Sequence, residues 1–416
     1  MKKASKYIAV MCAMGFVHHG IAQKGKYTLT VSPQVGYEYN ILKSPSSLVD
    51  DEGQELGRAE LLNSAPFAGT LVKYSTISGN KKNKLDLFGE YRRAFLTGSD
   101  ELRSSMIDGG VLYKFDNRKK FQLTSRFEFR NFVKTGEDLD NLIGAPLSYN
   151  RFILSNTFRR KVGERSTMSI APKTILKSYP REGFEDFKYW ENGLTFKYGF
   201  QYHLKKKSGF YLEASARQRN YIISRYVENE EMEEEEGDIE LEEEEGDIEL
   251  ELEEEDLNTV SMDRLWRYYS AEVGTKLLLG NRFKLLASAG YTYREDITQR
   301  RLGFSQTELS LELRYKYKKW AAQIKASHLG RDYTQLKITN NGANSALRFD
   351  YLRTGVRVDY KLGGSFTVFV SGESVYRLSS VDRINSRAFR TYFMGEASVG
   401  FTYKLRGNWK KRKKHK

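Results

Sequence analysis

The chain has 416 residues, of which 39% are hydrophobic and 29% charged, and its formal net charge is +14. Prolines number 6 and the single cysteine is Cys12, so disulfides do not staple the fold and cysteine–histidine zinc spacing is excluded. No later segment approaches 18 consecutive apolar residues, which excludes spanning by helices, while the 27 Tyr and 24 Phe suit strands and water–lipid interfaces.

In chain order, the first element is "MKKASKYIAVMCAMGFVHHGIAQ": a Lys-rich start, a short apolar run from Tyr7 to Val17, then Gly20-Ile21-Ala22. Small residues at −3 and −1 predict a cleavable secretory signal over residues 1–22. The run is too short for the roughly 20 apolar residues of a spanning helix. Cys12 lies inside it, behind Met11, which is a poor match to a lipidation site.

The chain then turns to strict alternation. Tyr27, Leu29, Val31, Val35, Tyr37 and Tyr39 share one parity, with Thr28, Thr30, Ser32, Gln34 and Glu38 on the other. Alternate residues of a strand face opposite sides, so such a ribbon has one greasy and one wet face. Weaker ribbons follow at 66–77, 85–95 and 105–115, then Phe121–Val133, then 150–160 and 167–178. The ribbon at 66–77 reads in either parity, and Pro33 and Pro172 each remove a ladder donor inside a ribbon, which predicts bulges or shifted boundaries. Trp190–Leu204, Phe210–Ala216, Leu265–Leu279, Phe283–Asp296, Thr307–Tyr317, Trp320–His328, Thr354–Leu362, Phe366–Leu378 and Phe389–Leu405 complete roughly sixteen strands.

The connectors alternate between two kinds. Short polar or basic turns ("SGNKKNK", "DNRKK", "VGERS", "KKKSG", "GNR", "YKKW", "LGG") interleave with longer segments at 41–65, 97–101, 136–148, 180–186, 229–262, 296–303, 334–346 and 379–388. Tight turns at one rim and long loops at the other predict an all-β, antiparallel up-and-down transmembrane barrel with both termini on the short-turn, periplasmic side. Closure leaves no strand edge unpaired in hydrocarbon. A soluble sandwich has shorter strands and does not sort its connectors this way, and a solenoid repeats at a fixed period, which these strands do not. Aromatics near strand ends (Tyr37, Tyr39, Tyr291, Tyr293, Tyr315, Tyr317, Phe401 and Tyr403) fit interfacial girdles. The division is signal 1–22, barrel 23–405 and a basic periplasmic tail at 406–416.

On these features the mature chain resembles Gram-negative outer-membrane β-barrel proteins, including the sixteen-stranded architecture of general porins. Phe389–Leu405 is similar to the C-terminal strand that the barrel-assembly machinery recognises, except that it continues into "RGNWKKRKKHK" instead of stopping at an aromatic. The resemblance implies an outer-membrane location, contact with outer-membrane lipid and insertion by that machinery.

Function is then written on the wet parity. Candidate lumen-lining residues are Arg126, Glu128, Arg130, Arg151, Arg217, Glu272, Glu312, Arg314, Arg353 and Glu396. Opposed rows of arginine and carboxylate create a transverse field that passes hydrated solutes, or else brace the wall as ion pairs. "EEEEGDIEL" at 233–241 repeats at 242–250, and Glu228–Asp256 holds 20 of the 54 acidic residues. Such a run stays extended and solvated, or contacts a basic lumen, and it lacks the fixed turn of a calcium loop. Beyond residue 22 the histidines are His203, His328 and His415, which leaves little room for metal or triad chemistry. His328 and Ser305 near the external rim are a weak echo of a lipase pair, and no cofactor is expected. The tail "NWKKRKKHK" suits anionic headgroups or the cell wall better than nucleic acid in an exported barrel. Two functions remain: a passive pore for small hydrophilic solutes, and a non-conducting scaffold, adhesin or secretion component working through its loops.

Overall fold

The computed structural model describes residues 24–40, 48–49, 55–56, 64–80, 82–96, 104–117, 121–134, 137–138, 145–180, 184–203, 208–225, 263–340, 343–381 and 391–410. The segment expected to be a signal, 1–22, the acidic repeat and the residues beyond 410 lie outside them, as do Phe389 and Arg390.

Sixteen strands form a closed antiparallel barrel. They are β1 Lys24–Tyr39, β2 Ala65–Gly79, β3 Asn83–Leu96, β4 Ser104–Asp116, β5 Phe121–Val133, β6 Tyr149–Lys161, β7 Ser166–Ser178 and β8 Phe184–His203. The second half is β9 Ser208–Arg225, β10 Arg264–Leu279, β11 Phe283–Asp296, β12 Phe304–Tyr317, β13 Trp320–Asn340, β14 Ala343–Gly363, β15 Phe366–Ser379 and β16 Tyr392–Lys410. Each pairs with its sequence neighbour, and β16 returns to β1, so every edge is satisfied.

Antiparallel pairing carries side-chain parity from strand to strand, because directly opposed residues share a face. The exposed large apolar side chains keep to one face. Phe127 on β5, Phe152 and Leu154 on β6, Leu194 and Phe196 on β8, Leu309 and Leu311 on β12, Val356 on β14 and Val399 and Phe401 on β16 all point outward. The strand read in both parities supplies the exception: Ile77 on β2 is exposed on the inward parity.

Short turns cap one rim. Gly364, at φ 51, turns β14 into β15, and Lys318, at φ 48, turns β12 into β13, each in a two-residue connection. Two-residue hairpins match the strand twist only with positive φ, which glycine adopts freely and Lys318 adopts at a small cost. Asn80 Oδ1 accepts from the backbone N–H groups of Lys82 and Asn83 at 2.8 and 2.9 Å, closing the β2–β3 turn.

Three features differ from expectation. The prolines make no bulge: pairs flanking Pro33 (Val31↔Tyr403, Gln34↔Gly400) and Pro172 (Ser155↔Lys173, Phe158↔Ile170) keep one register across the gap. At the first gap a hydroxyl pair, Ser32 Oγ to Thr402 Oγ1 at 2.8 Å, spans the ladder. Second, 334–346 is largely strand, because β13 and β14 extend as one hairpin past a register shift between Tyr333 and Lys337. Third, the last strand does not stop at Leu405: Arg406 to Lys410 pair with Thr28 back to Lys24.

Candidate functional site: the barrel lumen

The inward parity is polar and charged, and its ion pairs fall into zones. On β4–β6, Glu128 is the hub. It is buried and meets Arg126, Arg151 Nη2 at 3.0 Å and Arg130 Nη2 at 3.8 Å. Arg130 also donates from Nε to Asp108 Oδ2 at 3.1 Å. On β8–β9, Glu191 accepts from Arg219 and lies 3.7 Å from Arg217 Nη1. Lys173 on β7 lies between the two groups, attracted by Glu128 and Glu191 and repelled by Arg151 and Arg217, so the charges form one belt.

The other candidates stand apart. Glu272 accepts the Tyr211 hydroxyl, and Lys197 Nζ sits 2.7 Å from Glu213 Oε2 on the adjoining wall. Glu312 is bonded by its own-strand neighbour Arg314 and by Gln323 of β13. Arg353 lies over Tyr351, its guanidinium carbon 5.3 Å from the ring. Glu396 lies opposite both Glu38 and Glu373, and with Arg92, Arg357 and Glu373 it lines a lumen cavity of about 330 Å³. Structurally, Arg126, Glu128, Arg130 and Arg151 are brought together, Arg217 joins Glu191, Glu312 meets Arg314, and Glu272, Arg353 and Glu396 stand elsewhere on the wall.

Sequence reading missed Asp108, Lys173 and Arg219, although each shares parity with a residue it did name. It also missed a packed cluster inside the mouth at the long-loop rim. Tyr189, Tyr221, Trp266, Tyr268, Phe304, Leu329, Tyr333, Phe349 and Tyr351 are inward and buried, closed over by Leu302 and Val381 from the connections. Arginines interleave with them: Arg294 sits 4.0 Å from the Trp266 ring and 4.2 Å from Phe304, and Arg377 4.0 Å from Phe349. Arg294 is fully buried and donates from Nε to the Leu302 carbonyl at 2.8 Å. Desolvated cation–π contacts of this kind are worth about 2 kcal/mol. The available signal was stretches such as "RLWRYYS", where aromatics occupy both parities of one strand end.

Outside, a polar row crosses the apolar face: Thr174, Asn192, Gln218, Arg267 and Glu295 oppose one another in succession over β7–β11, with Leu176, Trp190 and Ile222 exposed on its long-loop side. Below it on β12, outward residues from Leu309 to Tyr317 are apolar or aromatic. His328 faces outward opposite Leu309, its Nε2 3.4 Å from Asp350 Oδ1, and on β13 the partner of Ser305 is Asp332, not His328.

No protein-family model matches the chain, and no curated protein matches it. Among solved structures it is similar to the outer membrane channel DcaP of Acinetobacter baumannii, at 11% identity over 92% of this chain and 98% of that one, with a TM-score of 0.43. Similarity to Acinetobacter baumannii OccAB1 is at 5% identity, over 92% and 96%, with a TM-score of 0.44. For Pseudomonas aeruginosa OpdO the identity is 10%, the coverage 94% and 99%, and the TM-score 0.45.

Proposed function

We propose that the chain is an outer-membrane barrel whose lumen passes small hydrophilic solutes by passive diffusion. One observation carries the reading: an unbroken circuit of sixteen strands separates an apolar outer face from a charged inner one. An outer face of that kind is matched to hydrocarbon, and a barrel of this strand number encloses water unless something fills it. Arginines and carboxylates on the wall hold hydrated solutes and discourage apolar ones. Outer-membrane lipid is the surrounding partner, and the barrel-assembly machinery is the proposed inserting factor.

The aromatic cluster inside the loop-side mouth favours a second reading, a closed barrel that works through its loops. Planar-bilayer recording separates the two. Discrete conductance steps that scale with salt support the pore; a folded barrel that inserts and passes no current leaves the scaffold.

A further inference from the structure

The inside of the short-turn mouth carries a row of cations, most of them outside any ion pair among the described residues. Lys84 on β3 and Lys114 on β4 stand directly opposite each other, both inward and exposed. Lys284 on β11 opposes Arg314 in the same way. Farther round, Lys316 and Lys361 end the inward rows of β12 and β14, and Lys404 and Arg406 continue the inward row of β16. Apart from Arg314, none of these makes an ion pair within 4 Å among the described residues, whereas nearby acids are taken: Glu90 by Lys73 and Glu213 by Lys197 farther up the lumen, and Asp359, in the row of Lys316, by Arg357. Asp86, beside Lys114, and Asp116 are the inward carboxylates left at this level.

Like charges opposed across a ladder destabilise a sheet, so their retention around one mouth asks for a ligand. Lipid phosphate is a poor candidate. At the same height the outward parity is aromatic, with Phe121 against Phe158, Phe283 against Tyr315, Trp320 against Tyr360 and Phe366 against Tyr403. The bilayer side is thus given to rings, and the ammonium groups to the water inside. Neighbouring strands lie about 4.8 Å apart, within the Debye length of about 8 Å at physiological salt, so the two charges of each opposed pair, Lys84 with Lys114 and Lys284 with Arg314, act together.

We infer that the short-turn mouth is a one-sided binding vestibule for small multivalent oxyanions, such as phosphates and polycarboxylates, and concentrates them at that end of the lumen. The inference rests on the pore reading for its transport consequence, and on the parity of the ring alone for binding. Inorganic tripolyphosphate is the probe. In oriented single-barrel recordings it blocks from the short-turn side at a concentration about tenfold lower than from the loop side, as summed surface charge raises local counter-ion concentration. The combined variant Lys84→Gln, Lys114→Gln, Lys316→Gln and Lys404→Gln removes that difference, and outward Arg160→Gln leaves it intact. Equal block from both sides, or a difference that survives the combined variant, overturns the vestibule. Should the folded barrel carry no current, the pore reading fails separately. Calorimetric titration of the detergent-folded barrel with tripolyphosphate then decides: heat of binding lost in the combined variant supports the vestibule, and no heat, or equal heat, overturns it.

Discussion

Glu191 Oε2 accepts two hydrogen bonds from one guanidinium, that of Arg219 on the adjoining strand, from Nε at 2.8 Å and Nη2 at 2.7 Å. Both side chains are largely buried, at 5% and 13% exposure, so the pair is shielded from the water that weakens surface bridges. Glu191→Ala strands Arg219 and Arg217 and is expected to cost about 3 kcal/mol. The urea midpoint of the folded barrel in lipid reads this. Glu191→Gln, which keeps an acceptor, is expected to lose less, and an unchanged midpoint in both variants would mean that the pair does not brace the wall.

Glu128 answers a different question, because three arginines converge on one carboxylate. Glu128→Gln removes a negative charge from mid-lumen and leaves the arginines in place. The chloride-to-potassium permeability ratio is expected to rise, and the rise to shrink as salt screens the wall. Reversal potentials at low and high salt check both parts.

The two faces can be tested by adjacent residues. Leu311 is outward and 49% exposed, while Ser310 faces inward opposite Ser288 and Ser327. Leu311→Arg places a charge in hydrocarbon and is expected to destabilise by about 2–4 kcal/mol, and Ser310→Arg by much less. Comparable losses at both positions would contradict the assignment of lipid and lumen faces.

The seam between β1 and β16 runs on past Leu405. A Cβ at Gly407 would lie 2.2 Å from Tyr27 Cε1, so the ring packs flat across that glycine on the seam. Gly407→Val is expected to displace Tyr27. Truncation after Leu405 removes the pairing of Lys24–Thr28 with Arg406–Lys410. Both variants are expected to yield less folded, heat-modifiable barrel on electrophoresis, the truncation more so; full folding of the truncated chain would show the extension to be dispensable for closure.

Strand number and facing were legible because a barrel wall has period 2 and two contrasting solvents. Phe121–Val133 was read to the residue, and the outward Tyr291 and Tyr293 follow from alternation alone. The span of β9 was not: reading Phe210–Ala216 stopped short of Arg225, because Gln218 and Asn220 interrupt the greasy parity before Ile222 restores it. Alternation fades there because both faces are polar.

Pro33 shows the same limit from the other direction. Sequence registers a missing donor, but only the pairing of β1 with β16 reveals that register holds across it. Alternation along the chain determined which side chains enter the lumen. Which of them meet, as Glu128 with Arg151 or Lys84 with Lys114, was decided by inter-strand register, a relation between distant segments that no local pattern encodes.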